Sequence, residues 1–584
     1  MNSSDDMSAR FTEAIKDTGF EGDIASDEKT LTSHSKDASL FIIKPTLVVF
    51  PKHTDDVKRL VRWAETQKKA GVDVSLTARS AGTDMSGGPL TSSISVDFTR
   101  YFNHIGEIHE ELGKLTTEGA HDGVTSDVTT AGWAITEPGV YFRDFDKATL
   151  KWDMILPSYP ASRELCTIGG MVSNNSGGEK TLLYGKTEDY VLELHMVLRD
   201  GNEYVFKPLS LVELEEKKKL QTLEGEVYRQ MSELVEKNDV LLKKAKPPVS
   251  KNSAGYYLWN VLDTKRGVFD ITKLLVGSQG TLGFVTKIKV RLIRPRTHSR
   301  LLVLFLKDMN RLGDITNHLL QFKPESLESY DDHTFKLAVK FFPIMIHRMK
   351  GNLINLAIQF LPEFWAVLTG GMPKLVLMAE FTADNDAAAL AAAQKAQASV
   401  HEFAKQEFSA PSRITQSPRE VQKFWTIRRE SFNMLRQHVK GLRTAPFIDD
   451  FVVAPKYLPE FLPKLYAILD KYPMTYTIAG HVGDGNFHII PLMDLHNPKS
   501  TQMIAELAPK VNELIFQYHG SITGEHNDGL VRSGFLKEMY GPEVYALFEK
   551  TKHVFDPDGI FNPHKKVGVT WEQALTHVDT SQAL

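Results

Sequence analysis

The sequence predicts a multidomain chain of mixed helix and sheet, α+β in class, on three observations. A strand, a helix and a second strand follow one another between residues 45 and 79. Three glycine- and hydroxyl-rich loops each abut a strand, and the second half adds apolar strands at 301–306 and 374–381 and a helix over 387–404. A length of 584 residues, 42% hydrophobic and 24% charged, suits two or three domains with large cores. The net charge of −4, with basic residues scattered, gives no reason to expect a nucleic acid as partner. The single cysteine, Cys166, excludes an intramolecular disulfide and a cysteine-ligated iron–sulfur cluster within the chain, and fits a cytoplasmic protein.

In chain order, residues 1–39 read as a polar lead-in with one short helix, lacking the basic start and apolar core of a secretory signal. PTLVVF (45–50) is a buried-strand signal. Thr54 then offers an N-cap, and Val57, Leu60, Val61 and Ala64 recur at helical spacing. VSLTAR (74–79) is the next strand and runs directly into SAGTDMSGGPL (80–90). There Gly82, Gly87 and Gly88 stand among Ser80, Thr83 and Ser86, a loop rich in backbone N–H groups and hydroxyls that suits a diphosphate. It is neither GxGxxG nor GxxxxGK[ST], so a nicotinamide cofactor and phosphoryl transfer both lose support. A second such stretch, CTIGGMVSNNSGGEKTLLYGKTEDY, precedes the strand VLELHMVL and its Asp200–Gly201 turn, and a third, LLVGSQGTLGF (274–284), leads into VTKIKVRLI. The longest partly apolar stretch, 351–373, carries Asn352, Asn355, Gln359 and Glu363. It reads as a buried helical hairpin or a membrane-surface patch rather than a span, so any membrane attachment is peripheral. A helix over 387–404 starts at Asp384 or Asn385.

GHVGDGNFHII (480–490) places His481 and His488 on either side of a reversal at Gly483–Asn486. Two neutral imidazoles held together are good transition-metal ligands, and Glu525 of GEH (524–526) could complete the set. Spacing alone leaves equal room for ordinary strand histidines and a solvated loop acid.

Taken in order, RSAGTDMSGG, PASRELCTIGGMVSNNSGGEKTLLYGKTEDYVL, LLVGSQGTLG, HVGDGNFH, TGEHNDGLVRSGFL and FDPDGIFNP resemble the FAD-linked D-2-hydroxyacid dehydrogenases of the vanillyl-alcohol-oxidase type, over roughly residues 35–570. That group includes D-lactate dehydrogenases, the glycolate oxidase flavin subunit and D-2-hydroxyglutarate dehydrogenase. The resemblance implies a lead-in (1–39) and a two-lobed PCMH-type FAD-binding domain (40–297). An α+β cap with an antiparallel sheet (298–545) and a C-terminal segment (546–584) returning to the FAD domain complete the expected chain. It implies noncovalent FAD contacts at Arg79, Ser80, Gly82, Thr83, Ser86, Gly87, Gly88, Pro160, Thr167, Gly169, Gly170, Asn174, Ser176, Gly177, Gly178, Tyr184, Gly185, Gly280, Thr281, Gly283 and Asn562.

In the same way His481, His488 and Glu525 become ligands of one divalent metal, zinc first with iron or manganese as alternatives, His526 the catalytic base and Arg428 the arginine that binds the substrate carboxylate, with Arg429 its neighbour and rival. The implied reaction oxidises a small D-2-hydroxyacid to the 2-oxoacid by hydride transfer to flavin N5. The alternatives are a metal-free flavoprotein oxidase of an alcohol or sugar, or a flavin electron-transfer subunit of a larger complex. The acceptor stays open among quinone, oxygen and an electron-transfer protein, and so do a homodimer and contact with the inner face of a membrane. Four departures stand out: Asn527 replaces a family glycine, Phe432 a threonine and Gln279 a glutamate, and FIDDFVVAP (447–455) lacks the lysine with which D-2-hydroxyglutarate dehydrogenase holds its substrate.

Overall fold

A computed structural model describes residues 3–118, 125–307, 309–332, 373–405, 411–438 and 441–581. Residues 351–372 of the partly apolar stretch and the side chain of Phe432 lie outside the described residues. No described helix is long and apolar enough to cross a membrane.

The first sheet takes β1 (Asp23–Ala25), β2 (Leu47–Phe50), β3 (Leu76–Arg79) and β4 (Ile94–Asp97) in the order β1-β2-β4-β3, with β2, β4 and β3 parallel. Continuous apolar strands such as LVVF are what burial on both faces requires. The helix Thr54–Lys69 lays Val57, Leu60 and Val61 into this core. Its cap is His53 rather than Thr54: in extended backbone, the His53 ring accepts from the amide of Asp56, so an imidazole does the work expected of a hydroxyl. The segment before residue 40 is folded onto the same core. Helix Ser3–Asp17 buries Phe11 and Ile15, with Phe11 against Trp63 at 5.4 Å between ring centroids, and β1 adds an antiparallel edge. Phe11 and Ile15, spaced four apart, are the inner face of an amphipathic helix whose outer face is polar, which is why the segment reads as a lead-in.

The second lobe is antiparallel. It uses β5 (Ile105–Glu118), β6 (Thr125–Thr136), β7 (Val191–Val197) and β8 (Glu203–Phe206); after a small patch of β9 (Leu209–Ser210), β10 (Leu262–Asp263) and β11 (Val268–Phe269), β12 (Phe284–Ile293) enters its centre, giving the order β5-β6-β12-β7-β8. The turn at Asp200–Gly201 joins β7 to β8 as the sequence predicts.

The third sheet is antiparallel and has eight strands: β13 (His298–Leu306), β14 (Ser326–Asp331), β15 (Leu375–Ala383), β16 (Ser412–Ile414), β17 (Arg443–Thr444), β18 (Phe451–Val452), β19 (Thr475–His481) and β20 (Asn486–Met493). Its order is β16-β13-β15-β14-β19-β20-β17, with β18 also on β20. Helix Asp386–Lys405 packs on β13 and β15, and of its two candidate caps Asn385 is the one used, its Oδ1 accepting from the amide of Ala388 at 2.9 Å. Past helix Leu536–Phe555 the chain returns to the first sheet, where Phe561 bridges Leu76 and the amide of Asn562 donates to Leu76 O.

Candidate functional site

The β19–β20 hairpin fixes the histidines. His481 ends β19 opposite Asn486, and His488 pairs with Ala479 two residues along, so both rings project from one face of the sheet. The reversal is a single 3-10 turn, Val482–Asp484, closed by Gly485 at φ +67°; a Cβ there would lie 1.8 Å from Val453 O. Only glycine fits that close approach in a left-handed conformation.

Two adjacent acids of FIDDFVV hold the rest. Asp450 Oδ2 accepts from the amides of Gly524 (3.0 Å), Glu525 (3.0 Å) and His526 (2.7 Å) and from the Thr523 hydroxyl (2.6 Å), folding the GEH loop around one buried carboxylate. Asp449 stands between two imidazoles, with Oδ1 3.0 Å from His488 Nδ1 and Oδ2 2.8 Å from His526 Nδ1. Glu328 of β14 does the same for His481, 2.5 Å from its Nδ1. With every Nδ1 engaged by a carboxylate, the Nε2 atoms turn to a common point: Glu525 Oε1 lies 3.3 Å from that of His481, 3.5 Å from that of His488 and 3.8 Å from that of His526. Carboxylate-anchored imidazoles around one carboxylate oxygen are the donor set a divalent cation needs.

Donor atoms of Asp450, His488, Glu525 and His526 lie within 4.8 Å of one another. Asp450 is nonetheless a poor ligand, because its other oxygen also takes the amides of Asn486 and Glu525 and both oxygens are committed. His481, with its Nε2 nearest to Glu525, fits the set better.

The electrostatics agree with a cation site. Burial pushes the Glu525 carboxyl up, but Lys251 and His481 outweigh it and hold the group well below the usual carboxylate range. Burial likewise opposes charge on His488, yet Asp449 and Glu525 carry its imidazolium up to about 10. On His526 burial is outweighed in the same sense by Asp450 and Asp449. Without another cation the carboxylates are compensated by protons on the imidazoles, and a metal ion is the alternative compensation.

Two lysines from the first half of the chain brace this loop. Lys251, fully buried, lies 3.2 Å from Glu525 Oε2 and 3.5 Å from Asp484 Oδ2 and donates to Gly178 O at 3.1 Å. Lys186 donates to Gly524 O at 2.7 Å.

His481, His488, Glu525, His526 and Arg428 all line one end of a cavity of about 1010 Å³. Its other end is built from the glycine loops, where Arg79, Ser80, Gly82, Thr83, Gly88, Pro160, Thr167, Gly170, Asn174, Ser176 and Gly280 face it. The amides of Ala81, Gly82 and Thr83 find no acceptor among the described residues, so this wall offers N–H donors to an anion, as a diphosphate requires. The other residues expected at the cofactor stand a layer behind. Ser86 O receives the amide of Leu530, Gly87 N donates to Asp37, Gly169 packs on Pro138, and Gly177 and Gly178 lie against Thr181 and Tyr159. Tyr184 donates to Glu325, Gly185 caps the helix Thr181–Tyr184, Thr281 meets the Tyr256 hydroxyl, and Gly283 packs against Val197. Asn562 donates to Gly88 O and Gln279 O, tying two of the loops together.

The two adjacent arginines sit in different surroundings. Arg429 grips Glu179 through both Nε, at 3.0 Å, and Nη2, over the Trp425 ring. Among the described residues Arg428 meets only Glu328 Oε2, 3.2 Å from Nη2, and its buried Nε has no hydrogen-bond partner. Asn527 sits at φ +65°, which explains a glycine at this position, and its amide donates to Asn174 O and Gly277 O, away from the cavity. Gln279 Oε1 accepts from Gly529 N and its Nε2 reaches Ser86 and Asn174, so the amide serves as a link between loops. Sequence reasoning missed Glu328, Asp449, Asp450, Lys186 and Lys251. The available signal was charged residues inside apolar runs, FIDDFVV above all.

Residues 45–206 match the family described as FAD binding domain, and residues 295–566 match FAD linked oxidases, C-terminal domain. The chain is 30% identical over 560 residues to the D-2-hydroxyglutarate dehydrogenase of Pseudomonas putida, covering 95% of this chain and 51% of that protein. It thus spans about half the length of the first curated relatives it matches. It is 24% identical to glycolate oxidase subunit GlcD of Bacillus subtilis, over 89% of this chain and 88% of that one. Among solved structures, p-cresol methylhydroxylase superposes with a TM-score of 0.64 at 13% identity, covering 97% of this chain and 98% of that one, a likeness of fold. Two matched domains in one order, on a two-lobed glycine-loop cradle facing an antiparallel cap sheet, place this chain in the family of FAD-linked oxidases.

Proposed function

We propose that the chain oxidises a D-2-hydroxyacid to the 2-oxoacid, with FAD held noncovalently by residues 40–297 and one divalent metal, zinc first, held by His481, His488 and Glu525 under the cap, residues 298–545. The observation that carries the reading is the convergence of three imidazole Nε2 atoms on one Glu525 oxygen, at the far end of a cavity that begins at the glycine loops. The names of relatives, D-2-hydroxyglutarate dehydrogenase and a glycolate oxidase subunit, support the same substrate class.

FAD, when bound, supplies the acceptor for two electrons. A divalent cation, when bound, supplies positive charge for the substrate's oxygens. The protein's own groups do the rest. Arg428 pairs with the substrate carboxylate through the N–H groups that Glu328 leaves free. His526, its Nδ1 fixed by Asp449, presents Nε2 to the substrate hydroxyl and takes its proton, and Asp449 offsets the imidazolium that forms. Lys251 and Asp450 keep Glu525 and the loop amides in register while charge moves.

Anaerobic flavin reduction by D-2-hydroxyacids, with elemental analysis, tests the reading. His481→Ala is expected to lose metal and turnover while keeping flavin and fold. His526→Ala is expected to keep the metal and lose on the order of 10²-fold or more in the rate of reduction. Acid precipitation should release FAD to the supernatant. Full substrate-driven reduction in metal-free His481→Ala protein would overturn the mechanism.

A further inference from the structure

The cavity wall beyond the histidines is uncharged. Register places Thr477 opposite Ile490 and Ala479 opposite His488, so one sheet face carries the histidines at one end and Ala479, Thr477 and Ile490 beyond them; Thr444 of the neighbouring strand joins the same lining. Neither threonine hydroxyl has a hydrogen-bond partner among the described residues, and each can serve an uncharged group.

Among the described residues, one cation on this cavity has a buried N–H group without an acceptor. The cavity is lined, among those residues, by four arginines and no lysine. Arg79, at the flavin end, donates to His34 O and Lys36 O. Arg163 lies at the other lobe beside Glu164, at 3.8 Å, and over the Tyr159 ring. Arg429 is gripped by Glu179. Among the described residues, Arg428 is the one of the four with a buried N–H lacking an acceptor. The next cation along the sheet, Arg443, is held by Asp579 at 2.7 Å and does not line the cavity.

A 2-hydroxyacid anchored by Arg428 and the histidine cluster therefore meets no second positive group among the described residues of this wall. A second carboxylate buried there would lose its hydration without gaining a partner. Resting on the function proposed above, we propose that the substrate is a D-2-hydroxy monocarboxylate with a short, uncharged side chain, apolar or hydroxyl-bearing, and that this wall of Thr444, Thr477, Ala479 and Ile490 discriminates against 2-hydroxydicarboxylates.

The holoprotein, supplied with FAD and zinc where either is substoichiometric, is mixed anaerobically with D-lactate, D-2-hydroxybutyrate, D-malate or D-2-hydroxyglutarate, and flavin absorbance is followed. The two monocarboxylates are expected to exceed the two dicarboxylates in kcat/KM by about 100-fold or more, as expected when one ligand leaves a charge unpaired. Thr477→Arg, and independently Thr444→Lys, should narrow that ratio by about 10-fold, by raising the rate with D-2-hydroxyglutarate. D-2-Hydroxyglutarate matching or exceeding D-lactate in the unaltered protein overturns the inference and leaves the hydroxyacid reading standing. If none of the four acids reduces the flavin, the hydroxyacid reading falls, and this inference with it.

Discussion

Glu328 touches both His481 and Arg428, with Oε1 2.5 Å from His481 Nδ1 and Oε2 3.2 Å from Arg428 Nη2. It is buried and fixes which nitrogen of His481 faces Glu525. Replacing such an anchoring carboxylate lowers metal affinity by about 10–100-fold in known sites, so Glu328→Gln is expected to weaken zinc binding by at least the lower figure. Calorimetric titration of zinc into the two apoproteins checks this, and equal affinities would show that His481 needs no anchor. The adjacent arginines should part company. Arg429→Met leaves Glu179 buried without its partner, which costs about 3–5 kcal/mol and should lower the melting temperature sharply. Arg428→Met should abolish substrate-driven flavin reduction with little change in melting temperature, since Arg428 is only partly engaged in the resting protein. Equal stability losses from the two would undo the distinction.

At the scale of the element, the β19–β20 hairpin shows what a sequence discloses. Gly483 to Asn486 reads as a reversal and the apolar residues around it as strands, because turn chemistry and alternation are local properties. The acids that arm the histidines are not legible in this way. Asp449 and Asp450 lie about forty residues upstream, Glu328 on a strand brought beside β19 only by the sheet order, and Lys251 in the other domain. The packing of the N-terminal helix onto the core was hidden for a related reason, since its inner face matters only once Trp63 is in place.

The first glycine loop carries a second consequence of burial. Asp37, whose Oδ2 accepts from Gly87 N, faces Asp84, with Arg79 and Lys565 as the nearby cations. Burial, and then Asp84, raise its carboxyl to about 7. In the unfolded chain this group is ionised from its ordinary value upward, so the folded state binds the extra proton. The stability it contributes is full at low pH and is lost as pH rises through about 7. Asp37→Asn should therefore gain on the unaltered apoprotein by on the order of 1 kcal/mol between pH 6 and pH 8, read from denaturant titrations at both. A constant difference across that interval would place the carboxyl's titration elsewhere.

Across the whole molecule, the site exists only where the two domains meet, and their juncture is tied at a distance from the chemistry by the last described residues. Asp579, fully buried, lies 2.8 Å from Lys36 Nζ and 2.7 Å from Arg443 Nη1, while its amide donates to Leu40 O and His577 O accepts from Ile42 N. One carboxylate thus joins the segment that holds Arg79, through Lys36 O, to the strand that carries Thr444 on the cavity wall. Burial opposes its charge, but Lys36, Ser581 and Arg443 hold the carboxyl well below its usual range, so the tie stays charged at any pH at which the protein is handled. In Asp579→Ala, Lys36 and Arg443, both partly exposed, can be taken up by water, and the fold should persist at a cost of about 1–3 kcal/mol. Hydrogen exchange should then quicken together at residues 40–43 and 443–445, two segments far apart in sequence and joined by this residue. Concerted loss of protection there, with the β19–β20 hairpin unchanged, is the signature of a clamp between domains; loss confined to one segment would make Asp579 a local brace.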